Sequence, residues 1–379
     1  MSRPWSTTLR ILLGGCVLVD AVVIALAVGA RVGAAPSLWL VRGPHLTLLA
    51  LLCAVPPVVW RRRALAVVAL LAVGLSALTT GRIVWAAHTA GGSADPVRGL
   101  WLSSMAAPAD TRETYTVAGG QPLSMVVYRP RHGTGAPVIM YLHGGGWIAG
   151  NAAAGGHDLR WFADHGWLAI SVDYRLATAA DATWDEAPRD VACALVWIRA
   201  NAGRWGGDPA RLVVAGDSAG GNLAVNLGYA AALHRAVSGC GGNVPVPRAV
   251  LVQYPVVDPQ DAYEHGHPAA GVQPMAFIER YLGGTPQRYP DRLRAISSAT
   301  YLSPAAPPTL VIEPADDSLI PTAGVLRFVQ RARAAGVDVT ADRIPYADHA
   351  YDQMAAGSLG NQAALTIRAN YLRAHRLGP

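Results

Sequence analysis

The chain opens with long apolar runs and continues with short ones separated by amphipathic stretches, and this change of rhythm divides it. Ile11 to Ala30, His45 to Trp60 and Ala64 to about Ala87 are nearly unbroken in apolar residues. Each approaches the length of helix that crosses the hydrocarbon core of a bilayer; the second is the shortest and carries Pro56 and Pro57 near its end. The first run, with Arg before it and small residues after it, has the outline of a signal peptide. It is longer than a typical signal core, and further apolar runs follow it. The pattern therefore predicts about three transmembrane helices within residues 1–88. Asp20, in mid-span, would be costly facing lipid and is expected to turn toward the other helices.

Residues 89–110 are small and polar without a clear period and read as a linker. Residues 111–379 have a different pattern. Glu113–Val117 and Leu123–Tyr128 flank the turn-like AGGQP and predict an antiparallel hairpin. Apolar strands are then expected at Val138–Leu142, Leu168–Val172, Leu212–Ala215, Val250–Tyr254, Leu310–Ile312 and Val339–Ile344. Helical stretches alternate with them near Asp158–His165, Ala187–Ala202, Gly220–Arg235, Thr322–Ala335 and Ser358–His375. Strands alternating with helices imply an α/β fold, a mostly parallel sheet covered on both faces. The stretch from Pro259 to Ser303 breaks the alternation and reads as a lid inserted after a strand.

Charge sharpens the division. Of the net +6, the first 90 residues hold +7, from eight arginines against Asp20, and the rest of the chain is close to neutral at −1. The basic balance belongs to the apolar segment, so no basic surface for nucleic acid is expected on the body. Arg3 and Arg10 precede the first run, and Arg61, Arg62 and Arg63 fill the turn before the third. The positive-inside rule then puts the N-terminus in the cytoplasm, and three spans put the body outside it, in a multi-pass protein of the cell membrane. Losing the second span would reverse the body. Trp39, Trp60 and Trp85 lie near span ends, where an indole can be half wet. Of the four cysteines, Cys16 and Cys53 lie in apolar runs, and Cys193 and Cys240 could pair if the body faces an oxidising space.

The chemistry centres on Gly216-Asp217-Ser218-Ala219-Gly220, which follows the strand RLVVA and opens the helix GNLAVNLGYAA. A sharp strand-to-helix turn exposes a serine Oγ beyond the sheet, and small residues at Gly216 and Gly220 relieve the crowding there. His143-Gly144-Gly145-Gly146-Trp147 directly follows the strand VIMYL. Its glycines allow backbone N–H groups to approach a substrate oxygen. Gly145 and Gly146, with Gly144 as a further candidate, would form an oxyanion hole with the N–H of Ala219. His143 is expected to order this loop.

A nucleophilic serine needs a base, and the base needs a carboxylate to orient it. Of the histidines after Ser218, His349 follows the last strand in the loop YADHAY, whereas His234 lies in a helix, His265 and His267 in the lid, and His375 near the end. EPADDSLIP follows the strand TLVIE and offers Asp316 and Asp317. Asp317 is chosen because it directly precedes the turn into the next helix; Asp316 remains the neighbour to test, and Glu313 comes too early.

In these residues and motifs the chain resembles the hormone-sensitive-lipase-like branch of the α/β-hydrolases, and its bacterial esterase and acetylesterase members. The resemblance covers roughly Tyr115 to His375. HGGGW, VDYRL at Val172–Leu176, the Asp190 helix ending in WIRAN, GGDPARLVVAGDSAGGNLA, YLGGTP, SPAAPPTL and DHAY fall in the family's order. It implies an α/β-hydrolase fold, a triad of Ser218, Asp317 and His349, and an oxyanion hole from Gly145, Gly146 and Ala219. Two departures stand out. Glu313-Pro314 replaces a frequent His-Gly, and VDYRLATA replaces VDYRLAPE. The apolar helices lie outside the resemblance.

The expected activity is hydrolysis of a small-molecule or lipid carboxylic ester through an acyl-enzyme on Ser218, with no metal or organic cofactor, by a protein held to membrane lipid through its N-terminal helices. An envelope acyltransferase or deacetylase would use the same residues. A catalytically silent binding protein on the same fold is the alternative of a different class.

Overall fold

The computed structural model describes residues 37–59, 63–269 and 271–379, together with Gly15, Val17, Leu18, Ala21, Val22 and Ile24. Most of the first expected span, 11–30, with Asp20 and Cys16, lies outside the described residues.

Two long apolar helices come first among the described residues, α1 (Leu38–Val59) and α2 (Arg63–Thr89). Both are long and apolar enough to cross a membrane, with mean hydropathies of 1.7 and 2.1 over their most apolar windows. They pair as an antiparallel hairpin along a seam that includes Ala50, Cys53, Ala54, Ala69 and Ala72, all buried. Small residues along the seam let the two helix backbones approach closely. Thr47 adds polar contacts within the seam, 2.8 Å to Ser76 and 3.2 Å to Thr80. Helix α1 starts seven residues earlier than the apolar run predicts and passes through Pro44. Trp39 and Leu40 are fully buried in the same apolar cluster as the body, and this packing extends the helix ahead of the proline.

The body is an eight-stranded sheet in the order β1-β2-β4-β3-β5-β6-β7-β8. Its strands are β1 (Thr111–Ala118), β2 (Gln121–Tyr128), β3 (Ala136–Leu142), β4 (Leu168–Val172), β5 (Gly207–Asp217), β6 (Val250–Gln253), β7 (Thr309–Pro314) and β8 (Val339–Ile344). Strands β1 and β2 form the predicted hairpin; Gly119 and Gly120 both have positive φ (57° and 78°), as a tight two-residue hairpin turn requires. Strand β2 pairs antiparallel with β4, and the pairs from β4 onward are parallel. Strand β5 is longer than expected because Gly207 and Asp208 continue the pairing with β3 across a register shift.

Helices α3 (Gly156–Asp164) and α10 (Leu359–Ala374) cover one face of the sheet; α4 (Glu186–Asn201), α5 (Ser218–Ala232) and α9 (Thr322–Ala334) cover the other. Alternation along β3 assigns the faces. Val138, Met140 and Leu142 join the cluster with α4 and α5, whereas Ile139 and Tyr141 join the cluster with α3 and α10. A buried ion pair ties the latter two helices, with Arg368 2.7 Å from Asp158 and Asn361 donating to the same carboxylate at 2.8 Å. Between β6 and β7 lie three short helices, α6 (Pro259–His265), α7 (Pro274–Leu282) and α8 (Pro290–Ile296), in the stretch expected as a lid.

The expected linker is docked along α10. Ser93 exchanges two hydrogen bonds with Thr366, and Asp95 N–H donates to Gln362 at 2.8 Å. Ser103 forms an antiparallel bridge with Ala356, and a Cβ on Gly92 would meet Ile367 at 2.5 Å. Hydrogen-bonding side chains on α10 fix a segment whose own sequence carries no periodic signal.

Cys193, buried on α4, is bonded to Cys240 in the exposed loop after α5. The bridge closes a separation of 47 residues, which by chain entropy is worth about 4 kcal/mol. Cys193→Ala is expected to lower the thermal unfolding midpoint by roughly 5–15 °C. Scanning calorimetry would check this, and an unchanged midpoint would mean that the bridge contributes nothing.

Candidate active site

Three parallel strands end at one edge of the sheet, and each delivers a side chain to the same point. Strand β5 ends at Asp217, and Ser218 opens α5 with φ 53°, in the left-handed region that non-glycine residues seldom occupy. The tight turn tips the serine out of the sheet. It survives because the neighbours are glycines: a Cβ on Gly220 would strike the carbonyl oxygens of Leu142 and His143, and one on Gly216 the carbonyl of Gly220.

The loop after β8 brings His349, whose Nε2 is 3.0 Å from Ser218 Oγ. The loop after β7 brings Asp317, whose Oδ2 is 2.8 Å from His349 Nδ1. The other carboxylate oxygen, Oδ1, accepts the N–H groups of Leu319 and Ile320 at 3.0 and 2.8 Å, which fixes the carboxylate plane. Asp316 is exposed and does not reach the imidazole; only its N–H is engaged, with the carbonyl of Ala347 at 3.0 Å. Burial by itself would lower the His349 pKa, but the charge and hydrogen bond of Asp317 outweigh it and hold the imidazolium favoured above the ordinary value of 6.5.

Glu313, one turn earlier, is fully buried, and both carboxylate oxygens lack hydrogen-bond partners. Burial and then the nearby Asp317 push its pKa well upward.

The glycine loop lies directly against the serine turn. A Cβ on Gly144 would stand 2.6 Å from Asp217 Oδ2 and 3.2 Å from Ser218 Cβ. Gly145 and Gly146 have φ 109° and 59° and line the cleft together with Ser218 and His349. A Cβ on Gly146 would enter the Phe277 ring at 2.8 Å. Ala219 is buried, and its N–H belongs to the first turn of α5, whose amides have no intrahelical acceptor.

His143 orders this loop. It is buried and stacked on Tyr174 with centroids 4.4 Å apart, and its Nδ1 is 2.7 Å from the carbonyl oxygen of Gly144. Burial lowers its pKa and keeps it neutral. Trp147 packs beneath the lid, stacked on Tyr281 at 4.4 Å, and does not line the cleft. Arg175 and Asp190 form a two-pronged ion pair at 2.8 and 2.9 Å, remote from the serine hydroxyl's partners.

The cleft holds about 360 Å³. Its apolar wall comes from Ile148, Val272, Phe277 and Leu319, and its polar wall from Tyr141, Tyr254 and Gln353, which sequence reasoning missed. Tyr141 O–H donates to Asp217, and Gln353 donates to the same carboxylate at 3.0 Å and to Tyr254 Oη at 3.1 Å. Tyr254 in turn donates to buried Asp352 at 2.7 Å, and its ring packs on His349 with centroids 4.6 Å apart. Burial, then Asp158, pushes the Asp352 carboxyl up to about 6. The network ties the serine turn to the histidine loop from behind. The run DHAYDQ carried a signal, since Asp352 and Gln353 place two polar residues between the histidine and the helix expected from Ser358. Among the described residues no group of three or more His, Cys, Asp or Glu is arranged to hold a metal ion.

A family model described as BD-FAE matches residues 125–331, more than half of the chain. The chain belongs to the BD-FAE family. The match takes in Ser218 and Asp317 and stops short of His349. Similar proteins include "Esterase LipC" of Mycobacterium tuberculosis, 32% identical over 64% of this chain and 60% of its own length. "Ethyl acetate hydrolase" of Pseudomonas putida is 30% identical over 65% of this chain and 76% of its own. The chain matches between 52% and 60% of the length of LipC and two other M. tuberculosis relatives, LipM and LipQ. Among solved structures, the apo form of Thermogutta terrifontis esterase 2 superposes with a TM-score of 0.60 at 21% identity, covering 72% of this chain and 97% of its own. This BD-FAE member thus has the α/β-hydrolase fold that its motifs led one to expect.

The paired imidazole gives a prediction that needs no substrate. His349 in the intact protein should titrate above 6.5 by NMR. In Asp317→Asn it should titrate clearly lower, because the charge that offsets burial is gone. Equal values in both proteins would mean that Asp317 does not govern the imidazole.

Proposed function

We propose that this BD-FAE protein is a membrane-anchored carboxylic ester hydrolase that works through an acyl-enzyme on Ser218. The observation that carries the proposal is the continuous hydrogen-bonded line from Ser218 Oγ through His349 to Asp317, beside the amides of the glycine loop. The names of its relatives, esterases and ester hydrolases, support the same reaction class.

In this reading Ser218 Oγ attacks the ester carbonyl carbon while His349 Nε2 takes its proton. Asp317 holds the Nδ1 proton and stabilises the imidazolium. The tetrahedral oxyanion is met by the N–H groups of Gly145, Gly146 and Ala219, worth several kcal/mol in related sites. His349 returns its proton to the departing alcohol, leaving an acyl ester on Ser218. Water then attacks that ester, again with His349 as base, and the carboxylic acid leaves while Ser218 recovers its proton. The scissile bond would sit between Gly146 and His349, with the acyl group against Ile148, Phe277 and Leu319.

Residues 1–88 form the membrane segment of this proposal, and 111–379 the catalytic domain. The arginines at 61–63 would lie in the cytoplasm, and both body-side ends of the hairpin across the membrane from them. The Cys193–Cys240 bridge supports an oxidising, extracytoplasmic space for the body.

Ser218→Ala in detergent-purified protein should lower hydrolysis of p-nitrophenyl butyrate by at least about 10³-fold. Turnover equal to that of the unaltered protein would refute the nucleophile and the reading built on it.

A further inference from the structure

The apolar hairpin does not leave the body from an arbitrary side. At its start, Ser37 Oγ accepts the backbone N–H of Asp348 at 2.9 Å, one residue from His349. On the returning helix, the Arg82 guanidinium lies 5.6 Å from the ring centre of Tyr346, in the same loop. Below that level α2 runs down along α10. Gly91 carbonyl accepts from Asn370, near the end of α10, and Ser93 pairs with Thr366, at its middle. The chain just past α10 reaches the opposite edge of the sheet, where Leu377 carbonyl accepts from Trp167, just before β4 begins. Helix α2 therefore passes from the far half of α10 up to the histidine loop, and its remaining turns continue beyond the edge that carries Ser218, Asp317 and His349.

Helix α1 behaves the same way. Leu40 and Gly43 pack beside Gly360 and Leu359, at the first turn of α10, and the later residues turn outward. Beyond the body, Leu52, Val55, Val59, Leu70, Leu71 and Leu78 are all more than half exposed. From Arg63 to Arg82 the helix rises about 28 Å, close to the thickness of a hydrocarbon core. The membrane plane then lies just past the catalytic edge of the sheet.

The rim on that edge is apolar too. Met275, on the lid helix α7 two residues before Phe277, is 50% exposed, and Met354, in the loop after His349, is also 50% exposed. Val272, at 42%, stands between the lid surface and the cleft. Isolated exposed side chains of this kind need no explanation, but these stand beside the cleft: Met275 is two residues from Phe277 and Met354 is next to Gln353, and Phe277 and Gln353 line it.

We infer that the cleft opens onto the bilayer surface and takes esters that reside in the membrane, with the lid rim seated among the lipid headgroups. The inference rests on the hydrolase reading and adds to it the class of substrate and its route of entry: the acyl chain moves from the bilayer past Met275 to the apolar wall at Phe277 and Leu319, without crossing water. The hairpin is then more than a tether. It fixes the height of the cleft over the lipid and braces the loop that holds His349.

The test uses the full-length protein in phosphatidylcholine vesicles, with 4-methylumbelliferyl oleate dissolved in the bilayer and p-nitrophenyl acetate in the water. Met275→Glu combined with Met354→Glu changes only exposed rim residues. It should lower turnover of the bilayer ester about tenfold while acetate hydrolysis stays within about twofold. Equal effects on both esters, no effect on either, or failure of the unaltered protein to cleave the bilayer ester while it cleaves the acetate would overturn the inference and leave the hydrolase reading intact. No cleavage of either ester by the unaltered protein would end the hydrolase reading, and the inference with it.

Discussion

One imidazole must keep two hydrogen bonds at once, to a hydroxyl and to a carboxylate carried by loops that follow three different strands. Ser218, Asp317 and His349 are separated by 99 and 32 residues along the chain, and their meeting depends on parallel strands β5, β7 and β8 ending at the same edge. The positive φ of Ser218 is the local cost of that arrangement, of order 1–3 kcal/mol. The crowded glycines at 216 and 220 keep the turn from relaxing, and the Asp217–Gln353–Tyr254–Asp352 network holds the histidine loop against it. A half-satisfied network in so buried a place would be worse than none, which is why it is densely connected.

Much of this was legible in the sequence because it rests on local rules. The strand RLVVA before GDSAG, the strand VIMYL before HGGG and the strand TLVIE before the two aspartates each announce a strand end followed by a turn. The fold follows from their alternation with helices. Asp317 could be separated from Asp316 by its place before the turn into α9, and the two N–H groups it accepts are the physical content of that position. Tyr141, Tyr254 and Gln353 were not legible in the same way. Tyr141 and Tyr254 lie in or beside strands whose composition reads only as apolar core, and their hydroxyls matter because the fold brings them to two different carboxylates, Asp217 and Asp352, that Gln353 and Tyr254 link.

The docked segment 90–110 shows the converse. It has no periodicity, and its order is imposed by Thr366, Gln362 and Asn370, polar residues on a helix otherwise packed on the sheet. The apolar packing of Trp39 and Leu40, the hydrogen bond from Asp348 to Ser37 and the Arg82–Tyr346 contact join hairpin and body into one unit. A sequence pattern divides the chain at residue 88; the contacts do not. The hairpin is thus joined to the body through the loop that carries His349.

The decisive feature is the identity of the atom that carries the acyl group. Mass spectrometry of protein quenched in acid during turnover of p-nitrophenyl butyrate locates that group on a single peptide. The expected result is a butyryl ester on Ser218, with no adduct at all in Ser218→Ala. An adduct on another residue, or turnover with Ser218 never acylated, would contradict it.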